Sequence, residues 1–483
     1  MRFTTGAILL CLASGAALAH AQQSTQAPEP VKAGATRGPS SAVSIDDYVE
    51  GRMNKRHIPG VSVAIVQNGK VVQAIGYGLA NVELSVPATA NTVYQLASVT
   101  KTFTATAVMM LARDGKLGLD DKITARLPDL PKAWEEVTVR QLLNHTSGIK
   151  SYTSVRDFHK TARKDYTQRE ILGLVAKEPM DFAPGEKWNY NNSGYFLLGM
   201  LIEKVTGKKY GEFLDERIFK PLGMTQTRVN DLQAVIPNRA QGYSWDGKAL
   251  KNGEYVSPTQ PFSAGMLVSS VGDLVKWDLA LRSEALLKKS TLDQMWTVTK
   301  LSKGGEAEYG FGWGIRKVNG HRMVAHGGGI PGFSTMISRF VDDDLTVIVL
   351  TNADDGNAEA IARGIAARLV PALAEETEKP IADTDPQTTE RLKGVILGAL
   401  QGEADPELFT KQSKEILVAA IKQGKGSVAS LGALKEFRLH ERKQSDQGVK
   451  LRYRATFANE MMNALFDLDK EGKIAGLRLQ QAD

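Results

Sequence analysis

The sequence predicts a chain of mixed α/β (α+β) class built in two lobes. One antiparallel sheet is assembled from both ends of residues 44–371, with a helical domain inserted between, and a small C-terminal α+β domain follows. Three observations predict this. Strand-like apolar runs occupy 61–78 and return after 309. The segments between them carry apolar residues at helical spacing. After Pro371 an acidic, Pro-containing stretch precedes two helical segments and a series of strands.

The elements follow in order. Met1-Arg2-Phe3 gives a basic start, followed by a short apolar run and small residues near Ala19 and Ala21, the pattern of a secretory signal peptide over 1–21. Cleavage is expected after Ala21, with Ala19 the alternative. Residues 22–43 are small, polar and Pro-bearing, and read as a flexible leader. Ser44 caps a helix over 44–57, and 61–78 reads as a hairpin around Asn68-Gly69. A helix over 99–114 stops at Gly115, and 137–143, 168–177, 194–206, 209–217 and 271–287 also read as helices. FGWGIRKV, HRMVAHGG, FSTMISRF and LTVIVLTNAD are strands, and 356–370 is a helix. The sheet therefore draws on 44–96 and 305–371, and the helical insert is 97–304. Residues 372–386 form a linker, and 387–483 an accessory domain with helices at 387–402 and 411–423 and strands at 434–442, 448–456, 460–467 and 473–480.

Composition excludes several function classes. The 60 basic and 54 acidic residues leave a net charge of +6 spread over the chain, with no basic helix or zinc-finger spacing, so nucleic acid is not an expected partner. The one cysteine, Cys11, lies within the signal, and Leu10 stands where a lipoprotein signal would want a small residue. The mature chain has no thiol for a disulfide, a metal site or a nucleophile. The histidines show no metal-ligand spacing, so neither metal nor cofactor is expected. No later segment reaches membrane-spanning length. A periplasmic or secreted location, without stable membrane insertion once the signal is removed, is the expectation.

Chemistry enters at Gln95-Leu96-Ala97-Ser98-Val99-Thr100-Lys101, where a helix begins. Residues three apart share a helix face, so Lys101 can set its amine beside the Ser98 hydroxyl. A serine hydroxyl attacks well only when a neighbouring base takes its proton, and lysine is such a base when burial lowers its pKa. Serine is also an ordinary N-cap and lysine an ordinary helix residue, and both readings stand at this point. A second copy, Ser147-Gly148-Ile149-Lys150, reads as a loop. A formal G-x-G-x-x-G at Gly327, Gly329 and Gly332 lies between strands and opens no helix, against a dinucleotide site. No G-x-S-x-G elbow, H-E-x-x-H or phosphate loop is present.

Three separated motifs carry a family resemblance: Ser98-x-x-Lys101, Tyr190-Asn191-Asn192 and His326-Gly327-Gly328, with flanking LLNHTSGI and AGMLVSSVGDLVKW. Over roughly 44–370 the chain resembles the class C beta-lactamase and D,D-carboxypeptidase family of penicillin-binding-like serine hydrolases, which also holds esterases and D-aminopeptidases. The resemblance implies that Ser98 forms an acyl-enzyme, that Lys101 transfers its proton, and that Tyr190, as phenol or phenolate, shares the acid-base work. It implies that Asn192 orients Lys101 and binds the acyl-side amide, and that the N–H groups of Ser98 and Gly329 hold the oxyanion. Gly327, Gly328 and Gly329 let substrate lie along the strand edge. His326 lines the cleft, either assisting leaving-group protonation or satisfied by a local backbone group. His145 belongs to a structural segment. Beta-lactamases of this class usually carry Lys-Thr where this chain has His326-Gly327, which weakens carboxylate recognition. The resemblance then implies peptidase action, on D-amino-acid amides or short peptides, with carboxylesterase or weak beta-lactamase action as alternatives and a non-catalytic penicillin-binding-like sensing module as the reading from a different class. The C-terminal domain resembles, in topology, the small cystatin-like or NTF2-like domains that accompany secreted hydrolases. Covering the cleft, binding a partner and forming a homo-oligomer are its candidate roles.

Overall fold

The computed structural model describes residues 44–374, 380–429, 431–445, 448–458 and 461–481. The signal peptide and leader, and part of the linker, lie outside the described residues.

Helix α1 (Ile45–Arg56) starts on Ser44, whose hydroxyl accepts the Asp47 N–H, and stops at His57 in the left-handed region. Strands β1 (Gly60–Gln67) and β2 (Lys70–Asn81) form a hairpin. Asn68 and Gly69 connect them with φ of 51° and 69°, the two positive values that a tight primed turn needs. A short β3 (Val86–Pro87) pairs with β2. Helices α2 (Thr100–Arg113), α3 (Asn192–Thr206) and α4 (Val271–Arg282) are the longer helices of the region that follows. The chain then returns to the sheet as β4 (Gly314–Val318), β5 (His321–Ile330), β6 (Phe333–Phe340) and β7 (Leu345–Thr351), and α5 (Ala358–Leu369) follows. Among the described residues the sheet has seven strands in the order β4-β5-β6-β7-β1-β2-β3. Its paired neighbours run antiparallel, and β7 joins β1 from Val61↔Thr351 to Gln67↔Leu345.

Side-chain alternation divides this sheet between two cores. Val61, Val63 and Ile65 of β1, with Leu345, Val347 and Val349 of β7, pack with Val49 and Met53 of α1 and Ile361 and Ile365 of α5. The opposite parity, Ala64, Val66, Ile348 and Leu350, joins the larger core that holds α2, α3 and α4. Both faces of β7 are buried, which explains its unbroken apolar run. Each such side chain contributes about 1.5–3 kcal/mol when withdrawn from water.

Three helices differ from expectation. The 168–177 segment is helical only over Gln168–Gly173. The 209–217 segment is helical only over Tyr210–Leu214, then widens into a π-turn over Asp215–Phe219 before Lys220–Leu222. Pro221 has no N–H to continue the regular ladder. The helix starting at Val271 ends at Arg282, and Glu284 takes a left-handed φ of 58°.

Beyond Pro371 the longer elements are α6 (Pro386–Gln401), α7 (Lys414–Gln423), β8 (Leu434–Ser445), β9 (Gly448–Phe457), β10 (Met461–Leu468) and β11 (Ile474–Gln481). The four strands pair antiparallel in sequence order. Leu392, Val395 and Ile396 of α6 share a separate core with Leu451, Tyr453 and Ala455 of β9.

Candidate active site

Ser98 lies in a 3-10 turn, Ala97–Val99, that leads into α2. Ala97 takes a φ of 46°, unusual for a residue with a Cβ. Its neighbour Leu96 is held on both sides. The Leu96 N–H donates to the Leu267 carbonyl at 2.8 Å, and Thr335 Oγ1 donates to the Leu96 carbonyl at 2.9 Å. The turn leaves Ser98 half-exposed while α2 is buried from Thr100 to Leu111.

Lys101 is 0% exposed, and its Nζ lies 3.0 Å from Ser98 Oγ, 2.9 Å from Asn192 Oδ1 and 2.7 Å from the Ala264 carbonyl. Among the described residues no carboxylate pairs with it, and burial holds its pKa well below lysine's ordinary value. A neutral amine has two N–H groups and one lone pair. Asn192 Oδ1 and the Ala264 carbonyl can only accept, so they take the two N–H groups. The lone pair then faces the Ser98 hydroxyl.

Tyr190 completes the triangle. Its ring centroid is 4.9 Å from Lys101 Nζ. Burial pushes its phenol above the ordinary value, although a side-chain hydrogen bond with Ser98 acts in the other direction. Tyr190 is therefore a phenol at neutral pH. Of the phenol and phenolate forms that the sequence left open, burial favours the first.

Asn192 is the first residue of α3, whose N-cap Asn191 accepts the Gly194 N–H at 2.8 Å. Asn192 donates Nδ2–H to Thr153 Oγ1 at 3.1 Å and its backbone N–H to Ser151 Oγ at 3.2 Å. These bonds fix the amide with Oδ1 toward Lys101. His145 brackets the same turn. Its Nδ1 accepts the Asn191 N–H at 3.2 Å and its carbonyl accepts the Asn189 N–H at 3.0 Å.

His326 lies 2.7 Å through Nδ1 from the Gly327 carbonyl and 2.9 Å through Nε2 from the Tyr309 hydroxyl. A carbonyl only accepts, so Nδ1 carries the proton and Nε2 accepts from Tyr309. Burial is the main cause that lowers the His326 pKa to about 3, and it acts whether or not Lys101 carries a charge. Of the two readings of His326, this geometry favours the one in which local groups satisfy the ring, since a neutral imidazole has no spare proton to give a leaving group.

β5 pairs with β6 through Ile330, but with β4 only as far as Ala325. The edge from His326 to Ile330 is thus open beside Ser98. At Gly328 a Cβ would stand 2.2 Å from the Leu96 carbonyl oxygen and 3.1 Å from the Ser98 nitrogen, so only glycine lets the strand pass this close. At Gly329 a Cβ would meet nothing within 4 Å. Ser98, Asn192 and Gly329 line one cavity of about 180 Å³. Tyr190, His326 and Gly327 line another of about 550 Å³.

The sequence-named residues Ser98, Lys101, Tyr190, Asn192, His326 and Gly327–Gly329 thus converge on one cleft. The Ala264 carbonyl, Ser151, Thr153 and Tyr309 belong to it and were not singled out from the sequence. The copy at Ser147-Lys150 does not join it. Lys150 pairs with Asp181 at 3.5 Å. The glycine-rich stretch to Gly332 is strand β5 and a turn, with no helix. Among the described residues no group of three or more acidic, histidine or cysteine side chains could hold a metal ion. Asp342–Asp344 is instead a turn whose carboxylates bond the Arg322 N–H, His321 and Arg282.

A serine hydroxyl beside a buried amine with a lowered pKa, a phenol and an open strand edge suits acyl transfer. Comparison with known proteins agrees. The sequence model of the beta-lactamase family matches residues 45–372. The chain is 32% identical over 319 residues to penicillin-binding protein 4* of Bacillus subtilis (strain 168), covering 63% of this chain and 70% of that protein. It resembles the D-stereospecific amidohydrolase from Streptomyces sp., with a TM-score of 0.59 and 29% identity over 69% of this chain and 99% of that one. The octameric penicillin-binding protein homologue from Pyrococcus abyssi shares the fold over 90% of this chain and 98% of its own, with a TM-score of 0.62 and 24% identity. The chain belongs to the beta-lactamase family, and within it is a penicillin-binding-protein-like serine hydrolase.

Proposed function

We propose that this protein hydrolyses small amides and short peptides through an acyl-enzyme on Ser98. The observation that carries the reading is the buried Lys101 amine, 3.0 Å from Ser98 Oγ with its N–H groups engaged by Asn192 and Ala264. Lys101 takes the Ser98 proton as Oγ attacks the substrate carbonyl carbon. The negative charge that develops on the carbonyl oxygen is held by the N–H groups of Ser98 and Gly329. Collapse breaks the bond to the leaving amine, which takes the Tyr190 phenol proton. Tyr190 recovers a proton from the Lys101 ammonium. Water then attacks the acyl carbon as Lys101 takes its proton, and the Ser98 Oγ–acyl bond breaks as the Lys101 ammonium returns that proton to Oγ, releasing the acid. Asn192 keeps the amine aimed.

His326 serves as a positioning residue at the strand edge. A neutral histidine followed by glycine offers a substrate carboxylate neither a fixed cation nor a hydroxyl, which ranks beta-lactam hydrolysis below peptidase action. Ester hydrolysis is a second reading, supported by the uncharged cavity beside Asn192. Export to the periplasm or medium is proposed from the signal pattern at 1–21. Among the described residues no helix is long and apolar enough to cross a membrane.

A fluorophosphonate probe located by mass spectrometry tests the reading. Labelling at Ser98, lost in Ser98→Ala, is expected. Absence of label in the wild type, or label on another residue, contradicts it. A panel of D-amino-acid amides, D-Ala-D-Ala peptides, acyl esters and a cephalosporin ranks substrates, and fastest turnover of the cephalosporin would overturn the ranking.

A further inference from the structure

We infer that the half of the substrate transferred to Ser98 is uncharged and apolar, so the enzyme disfavours a free α-ammonium on the residue whose carbonyl is attacked. This rests on the acyl-enzyme reading above and narrows its substrate class.

The two cavities flanking Ser98 assign the halves. The leaving group must face its proton donor, and Tyr190 lines the larger cavity. The acyl half therefore enters the smaller one, beside Asn192 and Gly329. Its apolar wall is formed by Tyr152, Phe158, Val256, Pro261, Ile330 and Pro331. No Asp, Glu, Lys, Arg or His lines it. Several of the polar side-chain groups there are already committed. The Tyr152 hydroxyl donates to the Gln260 carbonyl at 2.8 Å. Gln260 Nε2 lies between the carbonyls of Thr161, Ala162 and Lys164. Thr153 Oγ1 accepts from Asn192. An ammonium seated here would surrender hydration with no carboxylate to replace it. A pocket of about 180 Å³ suits one ring or a branched aliphatic chain, since a dry apolar cavity of about 150 Å³ admits benzene.

The larger cavity has the opposite character. Lys187, Glu306, Glu308 and Arg316 line it, and its volume of about 550 Å³ accepts a leaving group of more than one residue. The class of substrate is thus an N-acylated amino-acid amide or peptide, or an uncharged carboxylic ester, whose leaving half can carry charge.

The test compares N-acetyl-phenylalanine p-nitroanilide with phenylalanine p-nitroanilide, in both stereochemistries, at pH 6, where the free amine is protonated. The leaving group is the same, and the full chain is used. The blocked substrate should show a kcat/KM at least about tenfold higher. Equal rates, or faster turnover of the free amine, overturn the inference. Val256→Asp places a carboxylate in the wall at a partly exposed position and should narrow that ratio by accelerating the free amine. An unchanged ratio in a folded Val256→Asp variant also counts against the inference. Fluorophosphonate labelling of Ser98 in the same samples separates the two levels. Label at Ser98 with reversed preference overturns the acyl-side assignment alone, and no label at Ser98 overturns the acyl-enzyme reading beneath it.

Discussion

Two segments of this chain spell Ser-x-x-Lys, and their surroundings differ in each respect that matters to chemistry. Ser98 and Lys101 sit on consecutive helical turns, which brings Nζ to 3.0 Å from Oγ. Ser147 and Lys150 sit on a loop bent by Gly148 at φ 75°. Lys101 is fully buried with an amide oxygen and a carbonyl as its other partners. Lys150 is half-exposed and paired with Asp181. A carboxylate stabilises the charged ammonium, whereas burial without one favours the free base. Ser147 itself is buried, its Oγ accepting the Ile149 N–H at 3.3 Å. The comparison teaches that the motif is a spacing, and that burial without a carboxylate is what favours the free-base form of a lysine.

The sharpest way to break this comparison is paired substitution. Ser98→Ala should lower kcat by at least about 10⁴-fold. Ser147→Ala should keep kcat within a few-fold and cost about 1 kcal/mol of stability through its lost hydrogen bond, read as a shift in urea midpoint. Next comes Lys101→Met, which should lower kcat by about 10²–10⁴-fold, the usual range for a lost general base. Lys150→Met should leave kcat near that of the wild type, because an exposed ion pair contributes at most about 1 kcal/mol. Equal losses in the two lysine variants would erase the distinction.

A pH series gives a smaller effect. His326 stays neutral down to about pH 3, while in an unfolded chain histidine titrates near 6.5. Between those values the unfolded chain binds more protons, so stability falls as the pH falls from 6.5 toward 3. Urea midpoints for His326→Gln should fall less steeply over that window, and kcat/KM of the wild type should show no inflection near 6.5. Tyr309→Phe is the mildest of these changes. It removes the donor to His326 Nε2, worth about 1 kcal/mol, and should lower kcat by no more than about tenfold. A larger fall would mean that the Tyr309 hydroxyl takes a direct part in the chemistry.

Much of the sheet and the site was legible because it is written in local signals. Asn68-Gly69 marks a primed turn, the apolar run in 61–67 marks a strand, and Ser98-Lys101 and Tyr190-Asn192 are each short enough to read. What stayed hidden acts across long separations or through backbone. Lys101 meets the Ala264 carbonyl 163 residues away, and every residue type has a carbonyl. The tautomer of His326 depends on Tyr309, in a connection preceding β4 whose sequence suggests no role for a hydroxyl. The π-turn after Leu214 was missed because Pro221 disturbs the turn before it rather than its own position. The acyl-side wall draws on Tyr152, Phe158, Val256 and Ile330, residues that look like ordinary core in the sequence and become a site only because the fold leaves space between them.

The central claim is that a neutral Lys101 activates Ser98, and the pH dependence of Ser98 acylation tests it most directly. Single-turnover labelling of Ser98 by a fluorophosphonate, followed by mass spectrometry, should accelerate as Lys101 loses its proton and reach its plateau well below lysine's ordinary pKa of about 10.5. That acid limb should be absent in Lys101→Met. A labelling rate that climbs only near pH 10.5, or an acid limb that persists unchanged in Lys101→Met, would contradict it.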